Sequence, residues 1–180
     1  MTDTGDLWHR WLLDEQHGGD TAYRERLLIE SLYPVRTEVL DNAQPRPGDT
    51  LLDVGTGHGL IAFGALERLG PSGHVIFSDV SQERLDRCRD AVSAEALRDR
   101  CGFIWASADS LTAILDASVD IVTTRSVLIY VKDKAAALRE FYQVLNAGEI
   151  IIFTAALKPL VESGNRPERL AFAYLTARKD

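Results

Sequence analysis

The chain has 180 residues, 46% of them hydrophobic and 26% charged, which suits one domain with its own core. Its formal net charge of −7 provides no basic face for phosphates, which excludes nucleic acid as the main partner. The N-terminus, MTDTGDLWHRWLL, is acidic before a short apolar run and does not read as a signal peptide, and no apolar run is long enough to span a membrane, so no membrane partner and a cytoplasmic location are expected.

In chain order, Leu7, Trp8, Trp11, Leu12 and Leu13 have helical spacing over 6–16, and Gly18-Gly19 breaks the pattern. A second helix is expected over 21–32. A third runs from Pro34 to Ala43, with Pro34 suited to a first turn. QPRPGD, 44–49, is a loop. The pattern then changes to short, continuous apolar runs at 50–54, 74–78, 102–106, 119–123 and 149–153. Such runs are how strands buried on both faces read. Helical segments at 59–70, 81–92 and 133–145 separate them, with Ser81 as an N-cap. One more helix is expected over 154–164, interrupted by Pro159, and a last strand over 169–179. The alternation predicts an α/β fold: a doubly wound, mostly parallel sheet with helices on both faces. Two parts follow, an N-terminal helical segment over 1–45 and a core over 46–180, in one compact domain. Cys88 and Cys101 are the two cysteines; neither sits in a C-x-x-C pair, and both read as reduced, mostly buried thiols. No His/Cys cluster has metal-ligand spacing, and no nucleophile triad is present in the pattern.

The stretch LLDVGTGHGL, 51–60, joins the first strand to a helix. In an open α/β sheet this edge, beyond the carboxyl ends of the strands, is where ligands bind. Glycines there permit close approach, and the helix N-terminus offers unpaired N–H groups. A nicotinamide-binding fingerprint reads G-x-G-x-x-G. Here Gly55, Gly57 and Gly59 give G-x-G-x-G, and Leu60 stands where the last glycine of that fingerprint belongs. With Asp53 the pattern is D-x-G-x-G-x-G. It resembles motif I of the class I S-adenosylmethionine-dependent methyltransferases. The resemblance extends in order over about 50–153 and includes the acid Asp79 after VIFSD, the acid in ASADSL, the fourth-strand segment VDIVTTRSVLIYV, and RLAFAYLTARK as the last strand. The turn Asn146-Ala147-Gly148-Glu149 departs from the family's proline and paired glycines.

The resemblance implies a Rossmann-like methyltransferase fold with an antiparallel last strand, S-adenosylmethionine as cofactor and a small-molecule acceptor. It implies cofactor contacts from Asp53, Gly55, Thr56 and Gly57, from Asp79 and Val80, from Ala108, Asp109 and Ser110, and from Arg125. The Asp79 carboxylate suits both hydroxyls of the ribose, and Asp109 an adenine amino group. Two roles stay open for Asp53: organising the loop, or reaching the cofactor ammonium through water. Arg125 is open between the cofactor carboxylate and a structural pair with an acid such as Asp53. The segment 1–45 is expected to cover the cofactor, with His17 closing over the methionine end and Trp8 and Trp11 as lid or core packing. His58 reads as a turn histidine facing solvent. His17, His58 and Tyr130 are the candidate bases, with no choice among them.

Only 154–168 lies between the fifth strand and the last, where the family often carries extra helices and acceptor-binding elements. The chain therefore reads as a shortened form. An exposed sheet edge invites a homodimer, and the acceptor site is expected to be open or lost. The rivals are a non-catalytic module that binds the cofactor, its product or a partner, and a nicotinamide-dependent oxidoreductase, against which Leu60 and Asp109 argue.

Overall fold

The computed structural model describes residues 32–94, 97–157 and 171–179. The helix expected over 6–16, and all but the last residue of that expected over 21–32, lie outside these residues. The elements are α1 (Tyr33–Ala43), β1 (Thr50–Val54), α2 (Leu60–Arg68), β2 (His74–Asp79), α3 (Gln82–Ala94), a short 3-10 turn (Arg98–Arg100), β3 (Cys101–Trp105), β4 (Val119–Arg125), α4 (Lys134–Val144), β5 (Leu145–Leu157) and β6 (Ala171–Arg178). One six-stranded sheet has the order β3-β2-β1-β4-β5-β6. β1 to β5 pair in parallel, and β6 runs antiparallel to β5. From β1 the chain winds outward to β2 and β3, then returns to place β4 on the other side of β1. The carboxyl ends of β1 and β4 therefore flank the switch in winding direction, where a crevice opens.

Side chains of β1 alternate between two cores, as strand geometry requires. Leu51 packs with α1, α2 and α3 through Leu40, Phe63, Leu66 and Leu85. Leu52 and Val54 pack with α4 through Ala137, Phe141 and Val144. Phe63 meets Phe77 edge-on at 5.2 Å, and Phe77 stacks on Phe103 at 4.9 Å. Phe63 and Phe77 are fully buried, and each stabilises the fold by roughly 1.5–3 kcal/mol relative to exposure. α2 is apolar nearly all round because it is covered twice, by the sheet and by α1. A Cβ at Gly64 would lie 2.6 Å from Arg36 Cδ and 3.0 Å from Leu40 Cδ1, so the glycine lets α1 approach this closely.

The structure departs from the sequence pattern in two places. β5 begins at Leu145, directly from α4, instead of after a turn at 146–149. Val119 pairs with Leu145 and Ile121 with Ile150, so residues 146–149 are absorbed in an irregularity of the pairing. Asp120 fastens it: its carboxylate accepts from Asn146 Nδ2 and from the Thr50 amide, each at 2.8 Å. Residues 154–157, expected to start a helix, continue β5 because they pair with β6, from Thr154↔Tyr174 to Leu157↔Ala171. The rest of that expected helix, 158–164, lies outside the described residues. Both cysteines are free. Among the described residues no helix is long and apolar enough to cross a membrane.

Candidate cofactor-binding site

A cavity of about 630 Å³ opens at the carboxyl ends of β1, β2 and β4, within the range of small-molecule sites. Its base is Asp53, the penultimate residue of β1, 2% exposed. Thr123 Oγ1 on the neighbouring β4 donates to Asp53 Oδ1 at 2.8 Å. Burial pushes the Asp53 carboxyl up to about 6; the Thr123 hydroxyl, the charge of Arg125 and the Ala62 amide at the start of α2 pull the other way without cancelling it. Asp53 thus joins β1, β4 and α2 under the loop.

Two glycines of the loop above it bear on the cavity in different ways. Gly55 has φ +68°, and a Cβ there would meet Val127 Cγ2 at 2.2 Å. Gly57 has φ +57°, and a Cβ there would meet nothing nearer than the Gly55 carbonyl at 4.0 Å. Its flank is open to the cavity. Between them Thr56 is buried, and its amide donates to the Ser78 carbonyl at 2.9 Å. The Cys88 thiol donates to the Gly57 carbonyl at 3.6 Å. Burial pushes that thiol up to about 12, so it stays protonated.

Asp79 ends β2 and is 4% exposed. Its Oδ2 accepts from the Gly57 amide at 2.8 Å and its Oδ1 from the Ser81 amide at 2.9 Å. Each oxygen keeps a second lone pair for a ligand. Val80 beside it is largely exposed on the cavity wall, and Trp105 Nε1 fixes that turn by donating to the Val80 carbonyl at 2.8 Å. After β3, the segment 107–110 closes on itself: the Ser110 amide donates to the Ser107 carbonyl at 3.0 Å, and Ser107 Oγ donates to Asp109 Oδ1. Ala108 and Asp109 face the cavity, whereas Ser110 is exposed and lies off its lining.

Arg125 ends β4 and lines the cavity, close enough to Asp53 for its charge to act on that carboxyl. His58 is half-buried on the cavity wall instead of facing solvent. Burial and the charges of Arg84 and Arg87 hold its imidazole below the usual value, opposed by Asp79. Tyr130 also lines the cavity. His17, Trp8 and Trp11 lie outside the described residues. Sequence reasoning missed Ser107, which orients Asp109, and the wall formed by Val127, Val131 and Lys132. Its one available signal was the position of that segment straight after β4. Among the described residues no cluster of His, Cys, Asp and Glu is arranged to hold a metal.

The methyltransferase-domain family matches residues 45–169, more than half of the chain. The chain is 39% identical over 106 residues to UbiE of Stenotrophomonas maltophilia, a ubiquinone/menaquinone biosynthesis C-methyltransferase. That match covers 59% of this chain and 42% of the relative, so the chain spans less than half the length of that curated protein. Among solved structures the cyclase SpnF is 26% identical with a TM-score of 0.64, over 74% of this chain and 49% of that one. An S-adenosylmethionine-dependent methyltransferase from Aquifex aeolicus has the same TM-score of 0.64 at 20% identity, over 93% of this chain and 80% of that one; this likeness concerns the fold.

Proposed function

Because the chain belongs to the class I S-adenosylmethionine-dependent methyltransferase family, whose cofactor is S-adenosylmethionine, we propose that it transfers the cofactor's methyl group to a small-molecule acceptor. The observation that carries this reading is the convergence of Asp79, Asp109 and the open flank of Gly57 on one cavity. The donor set fits the cofactor. Asp79 has acceptor capacity left for the ribose hydroxyls, and Asp109, steadied by Ser107, for the adenine amino group. Val80 and Ala108 supply apolar surface beside the adenine, and the 55–57 backbone allows close approach. Arg125 pairs with the amino-acid carboxylate, while Asp53 holds the loop from below. Of the N-terminal segment expected to cover the site, residues 1–31 lie outside the described residues; Leu32, the first described residue, lines the cavity.

When bound, S-adenosylmethionine supplies a methyl group made electrophilic by its sulfonium. The protein's share is then to hold an acceptor in line and to exclude water. His58 and Tyr130 face the cavity as groups able to exchange a proton with an acceptor. The likeness to UbiE supports an electron-rich carbon of a quinone precursor as the methylated atom.

Calorimetric titration tests the reading. Saturable binding of S-adenosylmethionine and S-adenosylhomocysteine, with none of NAD, is expected. NAD binding, or no binding of the first two, overturns it. A reduced naphthoquinone incubated with the protein and cofactor is expected to gain one methyl group by mass spectrometry; a methylated oxygen in place of carbon would refute the carbon assignment. β6 ends the sheet among the described residues, and its outer edge supports a homodimer. A single monomeric species across a concentration series in sedimentation would remove that part.

A further inference from the structure

The two sides of the cavity differ in charge. On the β1–β3 side stand Asp53, Asp79 and Asp109, with Arg84 as a cation among them, and each acid is already engaged: with Thr123, with the Gly57 and Ser81 amides, and with Ser107. On the other side, the segment 126–132 after β4 carries no acid at all. It offers Val127 and Val131, the phenol of Tyr130 and the ammonium of Lys132, and it starts beside the Arg125 guanidinium. In a chain of net charge −7 this is a local reversal of sign.

The Lys132 ammonium is not neutralised by its neighbour. Asp133 caps α4, its Oδ1 accepting from the Ala136 amide at 2.9 Å, and its Oδ2 lies 3.9 Å from Arg139 Nη2. Among the described residues Lys132 has no acidic partner. Apolar surface accompanies the charge: Tyr130 is 82% exposed and Ile129 beside it 58%, although this turn is anchored by the Tyr130 amide on the Val127 carbonyl at 2.8 Å. Ser126 enters the segment with φ +58°, a left-handed conformation that a serine adopts at a cost and that collects at functional sites.

We propose that the 126–132 wall receives an acceptor with an apolar, ring-like body and an anionic oxygen, held by Lys132; the proposal rests on the methyltransferase reading. The chemistry agrees with this charge. The acceptor's electron pair forms the new bond to the methyl group, and the electrons of the broken S–CH3 bond stay on sulfur. A cation and an anion thereby become two neutral products. Transfer to a ring carbon adds one step: the proton on that carbon passes to a base or to solvent, and its bonding pair restores the ring as the negative charge returns to the oxygen.

The test uses the naphthoate anion and its neutral methyl ester as probes, by ligand-observed NMR on the protein saturated with S-adenosylhomocysteine. Naphthoate is expected to bind the unmodified protein about tenfold more tightly than the ester, the worth of one charge-assisted hydrogen bond. Lys132→Gln should erase this preference while leaving S-adenosylhomocysteine affinity within about twofold, and Lys132→Arg should retain it. Equal binding of ester and anion, a preference that survives Lys132→Gln, or binding of neither probe overturns the proposal. Failure of S-adenosylhomocysteine itself to bind overturns the methyltransferase reading, and this proposal with it.

Discussion

The Gly57 amide donates to Asp79 Oδ2 at 2.8 Å, so the end of the second strand holds the glycine loop of the first. The second oxygen of the same carboxylate takes the Ser81 amide at 2.9 Å, at the entrance to α3. One side chain thereby sets the relative positions of three chain segments around the cavity. Asp79→Ala leaves two backbone amides without their charged acceptor and is expected to lower stability by about 1.5–3 kcal/mol. Its affinity for S-adenosylhomocysteine should fall by on the order of a hundredfold, because the ribose contacts go as well. Asp79→Asn keeps one carbonyl acceptor and should lose less of both. Urea denaturation and calorimetry on the two variants check this. A folded Asp79→Ala protein with unchanged affinity would remove the ribose assignment.

Gly55 and Gly57 should separate fold from binding. Both have positive φ, but only Gly55 is blocked by protein, with Val127 Cγ2 2.2 Å from an added Cβ. Gly55→Ala is expected to cost on the order of 2–4 kcal/mol, with part recovered in Gly55→Ala/Val127→Ala. Gly57→Ala faces open space and should cost only about 1 kcal/mol of backbone strain. Its cofactor affinity should nevertheless drop at least about tenfold, since the new methyl projects where the ligand approaches. Thermal melts and titrations of the three variants measure both quantities. A Gly57→Ala protein that binds normally would place the cofactor elsewhere.

The amino-acid end of the cofactor can be isolated chemically. Arg125 ends β4 on the cavity wall, and methylthioadenosine lacks the carboxylate assigned to it. Arg125→Gln should weaken S-adenosylhomocysteine about tenfold, the worth of a charge-assisted contact. Methylthioadenosine should bind both proteins alike. Equal losses for both ligands would mean that Arg125 acts through Asp53 on the loop and does not touch the carboxylate.

These positions differ in how far the sequence announced them. Asp79 was legible because a buried parallel strand reads as a continuous apolar run, and the acid just past 74–78 marks the ligand edge; Asp53 and Asp109 were reached through the resemblance of D-x-G-x-G-x-G and ASADSL to the methyltransferase pattern. Ser110 failed because the 107–110 turn sends Ser107 inward and Ser110 outward, a choice set by one local hydrogen bond. The start of β5 was hidden because Asn146, Ala147 and Gly148 have turn chemistry, yet pairing resumes around them. Residues 154–157 read as helix because alanine favours it, and β6, which overrides that preference, is remote in sequence. The 126–132 wall carries no glycine motif, and its role depends on what stands across the cavity.

Asp53 gives a pH signature with a definite sign. Burial raises its folded-state carboxyl from 3.8 to about 6. The native protein therefore holds this proton more tightly than the unfolded chain does. The associated stability is fully present below pH ~4, decays as pH rises toward 6, and is absent above that. The difference of about two pH units corresponds to on the order of 3 kcal/mol. Asn cannot ionise, so Asp53→Asn should escape this loss while still offering Thr123 an acceptor. Relative to the unmodified protein, the variant should gain stability progressively between pH 4 and 6 and hold a constant advantage at pH 7 and above. Denaturation midpoints at about pH 4, 5, 6 and 7.5 span the window. A stability difference independent of pH would show that Asp53 is ionised throughout, held as a carboxylate by Arg125, and the buried-acid account of the cavity base would fail.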